Sequence, residues 1–198
     1  MPDIKPLSSD EWLTLRDIRL SALRESPQAF LATYAEEQEF TEDRWRAEFI
    51  RGSWDVGFDA GRPVSLVGIT READMPMDEC YLGYLWVDPQ FRRQGTASRL
   101  IKDVLGRLKK SGVRTVFLWV LDGNDRAMRL YQRIGFIRSN RRQPLPAGRS
   151  EERMQLDLGH WQSPNGAYQL ADVLAAEEVE QGVRNGADPA CQDDLTGD

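Results

Sequence analysis

The chain has 198 residues, of which 40% are hydrophobic and 29% are charged, which suffices for one sizeable core and gives no reason to expect a second. No stretch approaches the roughly 18 consecutive apolar residues of a membrane-spanning helix, and the first residues lack a basic patch followed by an apolar run. We therefore expect a cytoplasmic protein without a membrane partner.

Acidic residues are concentrated near the C-terminus. The whole chain carries −6 and residues 160–198 carry −7 (eight carboxylates against Arg184), so residues 1–159 carry +1. A nearly neutral body does not favour nucleic acid as a partner. We predict one folded domain over residues 1–159 and an acidic extension over residues 160–198, partly helical or disordered, with a helix at residues 168–181.

The two cysteines show no pattern of a metal or disulfide site. Cys80 begins an apolar run and Cys191 lies in the acidic extension, far from it. The only histidine is His160, so Cys80 has no evident partner that would activate it as a nucleophile. No metal site is expected.

The N-terminal third predicts helices. Ser8 and Glu11 have the spacing of a capping box, and the helix that they start should end before Pro27. Thr41 is the expected cap of a second helix, which carries Trp45 on its apolar face. We therefore predict a helix-loop-helix opening before the first strands.

The middle of the chain predicts strands around one strong helix. Residues 53–58 and 64–70 flank a turn with Gly and Pro and should form a hairpin. Residues 80–87 are apolar on both faces, as in a central strand. Residues 97–108 have the clearest helical period, and residues 113–121 form the next apolar strand. Strand, helix and strand predict a βαβ unit with two nearly parallel strands.

The last elements complete a mixed sheet. Residues 122–124 form a turn that caps a shorter helix ending at Ile134, and Gly135 releases the chain into a strand that begins at Phe136. A closing strand follows, with alternating apolar residues (Met154, Leu156 and Leu158). The fold class is α/β, with a mixed sheet of about six to seven strands flanked by about four helices.

A glycine-containing loop precedes the strong helix. It reads Arg92-Arg93-Gln94-Gly95-Thr96-Ala97, and converging N–H groups at a helix N-terminus form a phosphate site. Gly95 allows close approach of the backbone, while Arg92, Arg93 and Arg99 add positive charge. The loop therefore predicts a phosphate site; an ordinary loop with solvated arginines is the alternative.

The motifs and their order resemble the GNAT superfamily of N-acetyltransferases. Three segments carry the resemblance: Val87-Asp88-Pro89, Arg92-x-x-Gly95-x-Ala97, and Asn124-x-x-Ala127-x-x-x-Tyr131-x-x-x-Gly135-Phe136. It covers roughly residues 3–158. It implies that two central strands splay apart and that acetyl passes from acetyl-CoA to a primary amine, of a small molecule or a protein, by direct attack in a ternary complex. A homodimer is compatible with it.

The resemblance also implies roles for individual residues. The backbone of Leu85, Trp86 and Val87 would bind the acetyl and pantetheine groups, Asn124 would contact the pantetheine arm, and Tyr131 would face the thioester sulfur. The pyrophosphate would be held by Arg92, Arg93, Gln94, Gly95, Thr96, Ala97 and Ser98. Two structural alternatives remain: Asn124 caps its own helix, and Tyr131 is a core aromatic residue.

The acceptor amine and its general base are left as alternatives by the sequence. Some relatives carry a glutamate where this chain has Leu82 or Trp119, so those bases do not transfer. The candidates for a general base are Glu79, Glu36, Glu37 or a water relay, and the acidic helical opening suggests a cationic acceptor. Trp86 and Trp119 either line an acceptor pocket or belong to the core. The alternative function is an acyl-CoA-binding module with a regulatory or partner-docking role.

Overall fold

Residues 1–162, the part of the chain that the computed structural model describes, form seven strands and five α-helices. The strands are β1 (Asp3–Pro6), β2 (Gly52–Asp59), β3 (Arg62–Thr70), β4 (Glu79–Val87), β5 (Thr115–Leu121), β6 (Ile137–Pro144) and β7 (Ser150–Asp157). The helices are α1 (Trp12–Glu25), α2 (Tyr34–Glu37), α3 (Glu42–Arg51), α4 (Thr96–Lys110) and α5 (Asp125–Ile134). The helix predicted at residues 168–181 lies outside the described range.

The predicted helix starts are confirmed. The Ser8 N–H donates to Glu11 Oε2 at 2.9 Å, closing a capping box one turn before α1. At α3, Thr41 Oγ1 accepts the Arg44 N–H at 3.3 Å. Each bond satisfies an N–H that a helix leaves without an internal partner.

One sheet holds all seven strands, in the order β1-β2-β3-β4-β5-β7-β6. Neighbouring strands are antiparallel except β4 and β5, which are parallel and joined through α4, so the hairpin and the βαβ unit are both confirmed. Helices α4 and α5 cover one face, where Leu100, Ile101 and Tyr131 are buried. Helices α1 to α3 cover β2 to β4 on the other face, around Trp45 and Trp54.

The sheet opens between its two parallel strands. Pairing of β4 with β5 covers only residues 79–81 of β4 and residues 115–117 of β5. On the β3 side, Gly83 pairs with Gly68 and Trp86 with Leu66, so two β4 residues lie opposite one β3 residue. Tyr84, in this bulge, has a φ of 59°. A bulge bends its strand and interrupts the ladder, which accounts for the divergence of β4 from β5.

The far edge of the sheet is irregular and charged. In β6 the register shifts between Arg138 and Arg142, and Asn140 between them has a φ of 57°. Such an edge resists further strand pairing. At the end of the described chain, Trp161 is buried and donates its Nε1–H to the Ile134 carbonyl at 3.1 Å. Trp161 therefore packs against the end of α5.

Candidate functional site

The open edge of β4 is the first part of the site. Within residues 1–162, the edge of β4 that faces β5 is paired only up to Tyr81, so the backbone of Leu85, Trp86 and Val87 runs beside the gap. Backbone N–H and C=O groups seek partners, and an extended ligand arm inside this gap would supply them. The structure places these three residues beside the opening between β4 and β5.

The loop that follows β4 forms the second part. Arg93 and Gly95 have φ values of 62° and 77°, and the Thr96 hydroxyl donates to the Phe91 carbonyl at 2.9 Å, which fixes the turn. The first internal backbone bond of α4 joins the Arg99 N–H to the Gly95 carbonyl at 3.0 Å. The N–H groups of residues 95–98 therefore precede the helical ladder and point out of its N-terminus.

The shape of this loop suits an anion. A Cβ added to Gly95 would have no atom within 4 Å, so the approach to the backbone is open. Successive N–H groups around left-handed residues and the positive end of the helix dipole attract phosphate. The Gln94 side chain donates to the Gln90 carbonyl at 2.9 Å, which supports the turn from outside. Residues 93–98 thus fit a pyrophosphate.

The Arg92 side chain makes contacts within the protein. Its Nε–H donates to the Val87 carbonyl at 2.8 Å, and its Nη2 lies 2.6 Å from Glu25 Oε2. Its charge is paired with a carboxylate of α1, so phosphate contacts at Arg92 would come from its backbone. The charge at Arg99 is also shared, because its Nε lies 3.9 Å from Asp103 Oδ2.

Asn124 and Tyr131 both have the structural roles that were considered for them. Asn124 Oδ1 accepts the Ala127 N–H at 3.1 Å, which confirms it as the cap of α5. Tyr131 is fully buried, with its ring edge on Phe136 at 5.7 Å. Its hydroxyl makes no hydrogen bond to any residue within the described range, and burial raises its pKa, so the phenol keeps its proton. A buried hydroxyl of this kind costs about 1–3 kcal/mol unless a ligand engages it.

A cleft of about 580 Å³ opens beside the end of β5. The segment after α1 contributes Gln28 and Ala29, the start of α5 contributes Asn124 and Arg126, and the β6–β7 turn contributes Arg149. Arg149 Nη2 donates to the Gln28 carbonyl at 3.0 Å and joins the two loops across the cleft. Asn124, the predicted pantetheine contact, thus lies in the wall of this cleft.

The candidate bases do not stand at this cleft. Glu79 lies at the closed end of β4, roughly 26 Å from Val87 for eight residues of extended chain. Glu37 is buried in an ion pair with Arg19, at 2.7 Å. Glu36 accepts bonds from the Thr33 hydroxyl and N–H, which lower its pKa. None of the three carboxylates lines the cleft, and a water relay is the other candidate.

The other candidates are buried. Trp86 and Trp119 are 3% and 9% exposed and belong to two clusters of core residues, in agreement with the core interpretation. Burial raises the pKa of the Cys80 thiol to about 12, so it stays protonated and unreactive. His160 contacts Asp157 at 2.7 Å, beyond the end of β7.

Neither a metal cluster nor a membrane span is found in the described part of the chain. Over residues 1–162, no three His, Cys, Asp or Glu side chains come together in a way that could hold a metal ion. None of the helices in that range has the length and apolar character to cross a bilayer. The site is thus composed of an open strand edge, an anion cradle and a buried phenol. These features would suit a phosphate-bearing ligand with an extended arm.

Comparison with known families agrees with this description. Residues 12–136 match the model of the acetyltransferase (GNAT) family, which is more than half of the chain. The chain belongs to the GNAT acetyltransferase family.

Characterised relatives match over part of their length. The [ribosomal protein bS18]-alanine N-acetyltransferase of Haemophilus ducreyi is 36% identical over 86 residues, which cover 41% of this chain and 59% of the relative. The enzyme of the same name from Escherichia coli K12 is 38% identical over 60 residues, 30% of this chain and 40% of the relative. The chain thus spans between two fifths and three fifths of these two relatives.

Solved structures share the fold. The ribosomal-protein-S18-alanine N-acetyltransferase of E. coli superimposes with a TM-score of 0.61 at 20% identity, covering 85% of this chain and 100% of that chain. A GNAT acetyltransferase of Streptococcus pneumoniae gives a TM-score of 0.67 at 16% identity, covering 79% and 99%. These likenesses establish the GNAT fold.

Proposed function

We propose that this chain transfers the acetyl group of acetyl-CoA to an α-amino group by direct attack in a ternary complex. The observation that carries the proposal is the gap between β4 and β5, which ends at the N–H groups of residues 95–98. A thioester arm and a pyrophosphate need these two features side by side. The family and the fold support the same reaction class.

Different residues bind the thioester arm, hold the pyrophosphate and act at the sulfur. Acetyl-CoA brings an activated thioester, and residues 85–87 bind its arm through their backbone while residues 93–98 hold the pyrophosphate. Tyr131 donates a hydrogen bond towards the sulfur as negative charge develops there. Because a phenol is a weaker acid than a thiol, we assign hydrogen bonding rather than full proton transfer to Tyr131.

The proposed type of amine rests on the positions of the candidate bases within residues 1–162. An alkylamine with a pKa of about 10.4 needs ~4.6 kcal/mol to lose its proton at pH 7, whereas an α-amino group with a pKa near 8 needs only ~1.4 kcal/mol. Glu36, Glu37 and Glu79 are paired or distant. A site that relies on water relay is suited to the more acidic amine. The names of the bS18-alanine relatives favour a protein N-terminus.

A cationic acceptor is a further prediction. Much of the charge in the acidic opening is locally paired, as in Glu37 with Arg19 and Glu42 with Arg46, and the cleft carries Arg126 and Arg149. Turnover measured against ionic strength tests the steering of a cation. A steep decrease with salt would support it, and a flat response would remove it.

The activity is tested by thiol release from acetyl-CoA with three acceptors: a peptide that begins with alanine, the same peptide with a blocked N-terminus and an internal lysine, and a small alkylamine. We expect release with the first alone, and mass spectrometry should place one acetyl group on its α-nitrogen. Acetyl-CoA that binds by calorimetry but releases no thiol with any amine would support the acyl-CoA-binding module instead.

We also propose that the protein acts in the cytoplasm, which the names of the ribosomal-protein relatives support. Fractionation of cells that express the full chain tests this location. The homodimer stays a prediction, and sedimentation of the full chain distinguishes a monomer from a dimer.

A further inference from the structure

Glu25, at the end of α1, contacts Trp86 of β4 and Arg92 of the loop before α4. Its Oε2 accepts the indole N–H of Trp86 at 3.1 Å and a guanidinium N–H of Arg92 at 2.6 Å. Its Oε1 accepts a second Arg92 N–H at 3.3 Å, and the Ser26 hydroxyl also donates to Oε2. The Glu25 carboxylate thus joins α1 to the open half of β4 and to the loop before α4.

The contacts continue towards the cofactor side. The Arg92 Nε–H donates to the Val87 carbonyl at 2.8 Å, where β4 ends. The Arg92 side chain is only 10% exposed, and the carboxylate receives two of its N–H groups. Such a paired, two-point contact fixes orientation as well as distance. Arg92 therefore holds the start of the phosphate loop against the end of β4.

The contacts also continue towards the acceptor side. Ser26 begins the segment of residues 26–33, whose Gln28 and Ala29 line the cleft. The Gln28 carbonyl in turn accepts a hydrogen bond from Arg149 in the β6–β7 turn. Movement of Arg92 would thus be transmitted through Glu25 to the wall of the cleft that is opposite Asn124.

We propose that Glu25 is a positioning residue that couples the acetyl-CoA loop to the acceptor side of the cleft. The coupling rests on the proposed function, because it assumes that the ligand of residues 93–98 carries CoA phosphates. A ligand that orders the loop reduces the freedom of Arg92. Through the shared carboxylate it also orders residues 26–33, so the acceptor meets a prepared surface.

The ionisation of Glu25 suits this role. Partial burial favours the neutral carboxyl, but the hydrogen bonds from Ser26, Arg92 and Trp86 outweigh it and lower the pKa of Glu25. The group is therefore charged throughout the neutral range. Because the carboxylate is one-third exposed, its pair with Arg92 contributes little to global stability. Its removal should change the coupling more than the fold.

Hydrogen exchange tests the coupling without knowledge of the acceptor. In the full-length wild-type chain, saturating CoA should slow exchange at residues 94–99 and also at residues 26–33. In Glu25→Ala we expect the first effect to persist and the second to be lost. Glu25→Gln, which keeps acceptors for Trp86 and Arg92 but no charge, should be intermediate. Glu39→Gln is the matched control, because it removes an exposed charge from the same helical opening.

Kinetics give a second readout. With an acceptor peptide found by thiol release, Glu25→Ala should raise the acceptor KM about tenfold and change kcat at saturation less than twofold. Equal slowing of residues 26–33 in wild type and Glu25→Ala, or no slowing in a wild type that binds CoA, would overturn the positioning role. Failure of the wild type to bind CoA would instead refute the proposed function. If Glu25→Ala does not fold, the comparison of Glu25→Gln with Glu39→Gln decides.

Discussion

Gly95→Ala is the substitution that most directly separates the anion cradle from an ordinary turn. Gly95 has a φ of 77°, a conformation that costs an L-residue about 1–2 kcal/mol. No atom lies within 4 Å of an added Cβ, so the cost is conformational and not steric. With no packing to hold it, the turn in Gly95→Ala should relax and rotate the peptides on either side of residue 95.

The relaxation sets the size of the effect on binding. The N–H groups of residues 95–98 converge only with residue 95 in its left-handed conformation. CoA must therefore restore that conformation at the expense of its own affinity. A strain of about 1–2 kcal/mol corresponds to a Kd raised roughly 5- to 30-fold, whereas the free energy of unfolding should decrease by no more than about 1 kcal/mol.

Gly61→Ala is the matched control. Gly61 lies in the β2–β3 turn with a φ of 81°, and a Cβ there would also have no atom within 4 Å. Isothermal calorimetry of CoA binding and urea unfolding would be measured for both variants. Gly61→Ala should lose similar stability and keep wild-type affinity. A Gly95→Ala affinity within twofold of Gly61→Ala would show that this turn does not hold the phosphates.

Three further predictions concern single groups. Tyr131→Phe should lower kcat about 100-fold and leave CoA affinity within twofold. In the wild type, kcat/KM should increase as the acceptor amine deprotonates near pH 8. Because burial raises the pKa of Tyr131, the profile should show no descending limb below pH ~10. An unchanged kcat would contradict the assigned role. Glu37→Ala leaves the Arg19 charge buried and should cost about 3–5 kcal/mol in urea unfolding. Glu42→Ala, at the exposed pair with Arg46, should cost much less, and equal losses would contradict the difference in burial. Hydrogen bonds from Thr33 lower the pKa of Glu36, so the contribution of Glu36 to the free energy of unfolding is present above pH ~4.5 and is lost on acidification. Glu36→Gln should therefore flatten the decrease in stability at acid pH. An unchanged decrease would exclude this contribution.

Local patterns predicted most of the fold. The helical period of α4, the capping residues Ser8 and Thr41, and the turn between β2 and β3 each depend on a few neighbouring residues, and the structure confirms them. Strand β1 was not predicted. It has four residues, two of them charged and one a proline, and its strand identity depends on pairing with β2. Short edge strands are determined by their neighbours more than by their own sequence.

The site was less accessible to sequence analysis. The predicted phosphate loop is contiguous, so residue types alone sufficed to propose it. The partner of Arg92, in contrast, is Glu25, 67 residues away along the chain, and neither residue type nor spacing indicates such a pair. The prediction for Glu79 placed it near the reaction because β4 passes through the site. Sequence order does not show which end of a strand is closed by pairing, and Glu79 lies at the paired end.

The bulge at Tyr84 also changes which residues of β4 face α4 and α5. Before it, the residues that face α4 and α5 are even-numbered, Cys80 and Leu82; after it they are odd-numbered, Leu85 and Val87. The opening between β4 and β5 thus lies beside a change of parity in the chain, produced by one additional residue and not by any special side chain. An insertion or deletion in β4 would reverse the facing of every residue beyond it, while substitutions of similar size would preserve it. The facing of the β4 side chains beyond the bulge therefore depends on the number of residues in the strand as well as on their types.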